Sequence, residues 1–300
     1  MPPAGQSGRV AVLINPRAGV RGRRAVGART ALARDVLRAR GVDGQVLVAD
    51  GGGRGREAAQ ALLAQGVDTV VVWGGDGTIN EVASELVSSG VTLGIVPSGS
   101  GNGLARELGL DRDPRRALEV ALGGAVRRID AGELGGRLFF NVAGVGLDAH
   151  LAAVFNAGPR RGLGGYVKAV VREVATYKPA RYQVTADGVP SEGTALFVAV
   201  ANTRQYGSHA LIAPRARPDD GLLELVVVPA LSAPAILWQS HRLFAGTLQR
   251  LKGVRTHSVR AGAIAAAAPL TFHVDGEVVS GSRSLAIGVR ERALAVRVPG

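Results

Sequence analysis

Three hundred residues without a single cysteine exclude a disulfide framework, a thiolate metal centre and a cysteine nucleophile. Thirty-six basic residues against twenty-four acidic ones give a formal charge of +12, which favours polyanions such as nucleotides or an anionic membrane surface. Aromatic residues are only 4% and do not interleave with basic ones, so nucleic acid is not an expected partner, and five scattered histidines do not suggest a zinc enzyme.

In chain order, residues 1–9 lack the apolar centre of a signal peptide, and with the missing cysteines this suggests a cytoplasmic protein. Residues 9–15 form a first buried strand ending in Asn15-Pro16, followed by an arginine-rich loop and a helix to about residue 40. A second strand (45–49) leads through a glycine-rich turn (51–55) to a helix ending near Ala64. A third strand, 68–73, runs into GGDGTINEV (74–82), where Ile79, Val82, Ala83, Leu86 and Val87 mark one face of a helix that Gly90 closes. A fourth strand, 92–96, opens into PSGSGNGLAREL (97–108), and Asp113-Pro114 caps another helix. Four strand–helix alternations predict a doubly wound, mostly parallel sheet.

Beyond Gly124 the pattern changes. Strands are expected at 126–134, 137–145, 181–186, 194–201, 222–228, 258–263 and 270–274, with helices at 165–177 and 233–252. The most apolar region, 222–238, is interrupted by Glu224, Pro229, Ser232 and Pro234 and cannot span a bilayer. An α/β domain (1–128) followed by a mostly antiparallel β-sandwich domain (129–285) is the expected organisation. Two last strands, 284–289 and 294–298, are free to join either, so that residues from about 286 to 300 could return to the first. With no linker between them, the domains are expected to pack closely around a cleft.

The glycine-rich loops Gly74-Gly75-Asp76-Gly77-Thr78 and Ser98-Gly99-Ser100-Gly101-Asn102 end successive strands, so both fall at the carboxyl edge of a parallel sheet. Glycine lets the backbone approach a ligand and aim N–H groups at phosphate, although a plain tight turn also accounts for Gly-Gly-Asp-Gly. Neither loop is a Walker A sequence or a dinucleotide fingerprint. With only three lysines in the chain (Lys168, Lys178 and Lys252), arginine, Mg²⁺ or backbone N–H groups must meet phosphate charge. Arg106 is positioned to face that site or simply to lie exposed on its helix. Asp76 is either an N-cap or a ligand, through water, of nucleotide-bound Mg²⁺, and Asn80 and Glu81 are expected opposite the apolar face of the helix, near the loop. Asp275-Gly276-Glu277 is a β-turn or holds a carboxylate that takes a proton from an attacking hydroxyl. The segment 217–224 is a turn into a strand or a hard-cation site. A basic stretch carrying Arg160, Arg161, Lys168, Arg172, Lys178 and Arg181 is either a solvated face or a peripheral contact for anionic lipid.

Taken together, Asn15-Pro16 with Gly19, GGDGTINEV, PSGSGN-x-LAR, NVAGVGLDA (141–149), DDGLLE and VDGE resemble the diacylglycerol kinase catalytic-domain family, bacterial lipid kinases related to sphingosine kinases. The resemblance covers some 260 residues. It implies an ATP-dependent kinase acting on a lipid alcohol such as diacylglycerol, with the two glycine loops binding ATP. It also implies a Mg²⁺ held by Asp220 with the carbonyls of Arg217 and Leu222, and a base at Asp275 or Glu277. Bacterial diacylglycerol-type members commonly carry Asn-Asp-Phe where this chain has Asn102-Gly103-Leu104; the small residue is reminiscent of sphingosine kinases and leaves the acceptor open. NAD kinase shares the GGDGT loop but not the GSGN-x-LAR and VDGE pieces. A non-catalytic relative that binds lipid or nucleotide is the remaining alternative.

Overall fold

The computed structural model describes residues 9–19, 22–49, 54–157 and 171–300. The chain divides into two compact units, residues 1–129 with 292–300, and residues 130–291.

In the first unit the order is β1 (Val10–Ile14), α1 (Arg23–Ala39), β2 (Gly44–Val48), α2 (Gly55–Ala64), β3 (Thr69–Gly74), α3 (Asp76–Leu86), β4 (Thr92–Pro97), α4 (Gly103–Glu107) and α5 (Pro114–Gly123). The strands pair in parallel as β4-β3-β1-β2, and the end of the chain adds another parallel strand, with Ala295 and Val296 opposite Thr92 and Leu93. β3 is buried at every residue, as a central strand covered on both faces must be. Val12, Ile14, Val71, Trp73 and Val96 point to one face, where Val36 and Leu37 of α1 and Leu118 and Ala121 of α5 cover them. On the sheet, α3 contacts β3 and β4, and α2 packs against α3. Asp113 caps α5, its carboxylate accepting the Arg116 N–H at 3.0 Å, and Pro114 follows where no N–H is needed. α3 stops at Leu86, short of the expected Gly90, because Ser88 turns to φ 59° and donates its N–H to the Ala293 carbonyl at 2.9 Å.

β5 (Ala125–Leu134) carries the chain into the second unit. There follow β6 (Arg137–Phe139), β7 (Val142–Gly146), α6 (Leu147–Ala157), β8 (Ala180–Ala186), β9 (Val189–Ala201), β10 (Leu223–Pro229), β11 (Arg255–Val259), β12 (Ala261–Ala265), β13 (Thr271–Val274), β14 (Glu277–Ser280) and β15 (Ser284–Val298). Pairing is antiparallel in the order β14-β13-β7-β9-β8-β12-β15, with β10 joining β9 to β11. The period of two along β9 serves two cores: Val198 and Val200 join Phe139, Phe272 and Ile287, while Ala199 and Ala201 join Val142, Val226 and Ile212.

Several boundaries differ from the sequence reading. The single strand expected over 137–145 is two, broken at Phe140-Asn141, and that over 258–263 is two, broken at Arg260. The helix expected over 233–252 is a pair, Ala233–Gln239 and His241–Phe244, with a short 3-10 turn at Leu248–Arg250. The two last strands are one, and α6 and β14 were not anticipated. Residues 171–176 are helical; the rest of the 165–177 expectation, most of the 51–55 turn, and Arg160, Arg161 and Lys168 lie outside the described residues. Of that basic stretch, Arg172 pairs with Glu173 at 3.0 Å and Arg181 with Glu192 at 2.7 Å. No helix among the described residues is long and apolar enough to cross a membrane.

Candidate functional site

The two glycine loops meet at the carboxyl ends of β3 and β4. A Cβ built on Gly99 would lie 2.9 Å from the Gly75 Cα and 2.9 Å from Asn102 Oδ1, so the loops touch backbone to backbone and only glycine fits. Asp76 locks them together. It is the first residue of α3, yet it caps another helix: its Oδ2 accepts the Asn102 N–H at 2.8 Å and its Oδ1 the Gly103 N–H at 2.8 Å. Asn102, left-handed at φ 49°, clasps its own loop through Gly99, whose N–H it accepts and whose carbonyl it donates to, both at 2.8 Å. Arg106 Nε holds the Gly101 carbonyl at 3.0 Å, and Asn15 Nδ2 reaches Thr78 Oγ1 at 2.6 Å. The N-cap of α3 is Gly75, which brings no side chain of its own over the first turn of the helix. That leaves a helix start suited to phosphate.

Two expected members stand apart from this arrangement. Asn80 is only 4% exposed, correcting its placement on the outer face; its Oδ1 accepts Ser84 Oγ at 3.5 Å. Glu81 is turned towards α2, its Oε2 accepting the Gly55 N–H at 2.9 Å. It thereby supplies the first turn of α2 with a carboxylate acceptor.

Beside the loops lies a cavity of about 450 Å³, the size of many small-molecule sites, lined by Gly19, Leu32, Trp73, Pro97, Ser98 and Arg112 among others. The buried Ser98 Oγ has no hydrogen-bond partner among the described residues, leaving a polar atom in the wall for a ligand to meet. Arg29, whose Nη1 donates to the Asn15 carbonyl at 3.2 Å, also lines it, and partial burial lowers its guanidinium below its ordinary value. Trp73, Arg29 and Arg112 escaped the sequence reading because an aromatic on a core strand and two arginines among thirty-six basic residues carry no distinguishing spacing. Gly99→Ala is expected to push the loops apart and weaken the binding of a phosphate-bearing ligand there at least about tenfold, read by titration, since the added methyl has no room at 2.9 Å. Unchanged binding would remove the loop contact from phosphate recognition.

In the second unit, Asp275 and Gly276 form the two-residue turn between β13 and β14, with φ values of 49° and 86°. That is the Asp-Gly hairpin expected of a type I′ turn. Asp275 also anchors a distant loop. Its Oδ2 accepts the Phe140 N–H at 2.9 Å, and its Oδ1 accepts those of Asn141 at 2.9 Å and Val142 at 3.1 Å. Glu277, at the foot of the same turn, is exposed, and its carboxylate has no hydrogen-bond partner among the described residues.

Behind the hairpin, His273 Nε2 lies 3.3 Å from Asp148 Oδ2, both side chains being under a tenth exposed. Gly276 N–H points at His273 Nδ1, 3.4 Å away, so the ring hydrogen is assigned to Nε2, facing the carboxylate. The Tyr206 hydroxyl donates to the same Asp148 oxygen at 3.1 Å, and burial first, then the Asp148 charge, push its ionisation well above the ordinary value.

Asp220 is exposed, and its Oδ1 accepts the Leu222 N–H at 3.1 Å. The fully buried Asp130 fixes the segment carrying it. Asp130 Oδ2 takes the Gly221 N–H at 2.7 Å, its N–H goes to the Pro218 carbonyl at 2.6 Å, and Asn202 Nδ2 reaches its carbonyl at 3.0 Å. Among the described residues no three His, Cys, Asp or Glu side chains gather as a metal cluster. Sequence reading passed over Asp130, Asp148 and His273. For Asp130 the available signal was an acid set directly between Ile129 and Ala131 in a strand run.

Family models match both units: a diacylglycerol kinase catalytic domain over residues 9–134, and a YegS C-terminal, NAD kinase β-sandwich-like domain over 141–298. Among curated relatives, a protein named Probable lipid kinase YegS-like from Pseudomonas aeruginosa is 33% identical over 82% of this chain and 82% of its own length. One named Diacylglycerol kinase from Mycobacterium tuberculosis is 31% identical over 90% of this chain and 89% of its own. A crystal structure of a diacylglycerol kinase from Bacillus anthracis shares the fold, with a TM-score of 0.75 at 19% identity over 97% of this chain and 96% of that one. With its parallel nucleotide-type sheet, joined glycine loops and antiparallel second unit, the chain belongs to the diacylglycerol kinase family of ATP-dependent lipid kinases.

Proposed function

We propose that this chain transfers the γ-phosphoryl group of ATP to the hydroxyl of a lipid alcohol. The joined glycine loops beside a cavity with an unsatisfied serine hydroxyl support the nucleotide half of this reading most directly. In it, the first-turn N–H groups of α3 and the loop around Gly99 cradle phosphate oxygens, Asp76 keeps that cradle rigid, and Arg106 braces it through Gly101. In the same reading the second unit binds the acceptor lipid and supplies the base. Glu277 takes the hydroxyl proton, because Asp275 has both oxygens occupied by backbone N–H groups.

Mg²⁺ would be held by Asp220, which is exposed and whose Oδ1 accepts the Leu222 N–H, together with the backbone carbonyls of Arg217 and Leu222, an all-oxygen donor set of the kind this hard cation takes with water. When bound, the ion supplies positive charge, while Asp130 keeps the 218–221 backbone in one shape.

The test incubates the purified chain with radiolabelled ATP and Mg²⁺ against diacylglycerol, monoacylglycerol, sphingosine, undecaprenol and NAD. Label in one of the lipid alcohols is expected. Label in NAD alone would overturn the lipid assignment, and no label anywhere with ATP still bound would leave a binding protein.

A further inference from the structure

Acidic residues are absent from a long part of the second unit. Between Glu224 and Asp275 there is no Asp or Glu, whereas Arg242, Arg250, Lys252, Arg255 and Arg260 all occur there. Helices Ala233–Gln239 and His241–Phe244 fall within this stretch, joined through Ser240, whose own backbone is helical at φ −57° and ψ −30°. The pair therefore behaves as one amphipathic segment. Ala233, Ile236 and Leu243 pack inward onto the core that includes Val226 and Leu248. Leu237, Trp238 and Phe244 remain outside at 40%, 76% and 61% exposure. The other tryptophan, Trp73, is 3% exposed, so solvation of Trp238 is not a general property of indoles in this fold. Arg250, Lys252 and Arg255 follow closely in sequence, all exposed, and make no ion pair among the described residues.

We propose that this segment is the chain's membrane-docking surface, with Trp238, Phe244 and Leu237 entering the headgroup region of an anionic bilayer and Arg250, Lys252 and Arg255 meeting lipid phosphates. Tryptophan and phenylalanine beside uncompensated cations are the composition of interfacial segments, since the rings have an apolar body to bury and the cations a charged plane to face. A second copy of the chain is disfavoured as occupant, because the like-charged Arg250, Lys252 and Arg255 of two copies would then be brought together. The surface differs from the 160–181 stretch, where Arg172 and Arg181 are already paired with carboxylates. The proposal rests on the lipid-kinase reading only for its purpose, because docking requires neither ATP nor turnover.

The test uses the full chain with phosphatidylcholine vesicles, with and without phosphatidylglycerol, in flotation at low and high salt. Binding to the anionic vesicles alone is expected, weakened by salt and lowered about tenfold or more by Trp238→Ser with Phe244→Ser. Arg250→Glu with Lys252→Glu is expected to abolish the preference for phosphatidylglycerol. Tryptophan emission should shift to the blue on binding in the wild type and not in the Trp238→Ser chain. Wild-type binding by both double variants would overturn the proposal. So would a dimer that the Trp238 and Phe244 changes dissociate without altering flotation. Phosphorylation of a short-chain, water-soluble diacylglycerol should persist in the Trp238 and Phe244 variant. If the lipid panel fails while flotation behaves as described, the kinase reading falls and the docking surface stands; the reverse pattern removes the surface alone.

Discussion

Asp275→Ala is expected to cost roughly 3–5 kcal/mol of stability, read as a fall in the urea midpoint. Three N–H groups, from Phe140, Asn141 and Val142, would lose a charged acceptor in a region where those residues are 0%, 4% and 1% exposed. The backbone adds a second cost. Asp275 sits at φ 49°, which alanine adopts at roughly 1–2 kcal/mol while asparagine tolerates it. Asp275→Asn keeps the turn and one carbonyl oxygen able to serve two of the three donors, so its loss should be smaller, about 1–2 kcal/mol. The order Ala worse than Asn follows from both terms. A loss below about 1 kcal/mol for alanine would mean that water replaces the carboxylate and that the 140–142 bend does not depend on it.

The same bend shows why parts of the fold were legible in the sequence and others were not. Strand and helix in the first unit follow local periodicity, and the buried run of β3 and the capping pair Asp113-Pro114 are written within a few residues. The break at Phe140-Asn141 is decided by a carboxylate more than 130 positions away, and the break at Arg260 by Asp187, which accepts that residue's N–H at 3.0 Å. No window along the chain contains such pairs. The helix over 233–252 misled for a local reason: its apolar spacing persists, but Gly246 turns to φ 64° and interrupts the backbone. The candidate site divides in the same way. The glycine loops were visible as strand-to-helix junctions, and their contact at Gly75 and Gly99 follows from adjacent parallel strands. That Asp76 would cap α4 instead of its own helix depends on the three-dimensional meeting of the loops, as does the turn of Glu81 towards Gly55.

Glu277→Gln is expected to lower kcat by roughly 10²–10⁴-fold, the usual contribution of a positioned general base, while shifting stability by no more than about 0.5 kcal/mol. Both halves of this expectation come from the hairpin. Glu277 pairs with Val274 through its backbone at the foot of the turn, so its position is set by Asp275 on one side and by the His273–Asp148 contact behind. Its own carboxylate contributes none of that support, being exposed and without a hydrogen-bond partner among the described residues. Glutamine preserves size and removes only the proton acceptor. Asp275→Asn provides the contrast, since it should weaken the scaffold yet retain more activity per folded molecule than Glu277→Gln. If the two exchange roles, with Asp275→Asn fully folded but inactive and Glu277→Gln within threefold of wild type, then proton transfer belongs to Asp275. Its three N–H bonds would then have to loosen during turnover, which hydrogen exchange at Asn141 and Val142 would detect as lost protection in the presence of ATP and lipid.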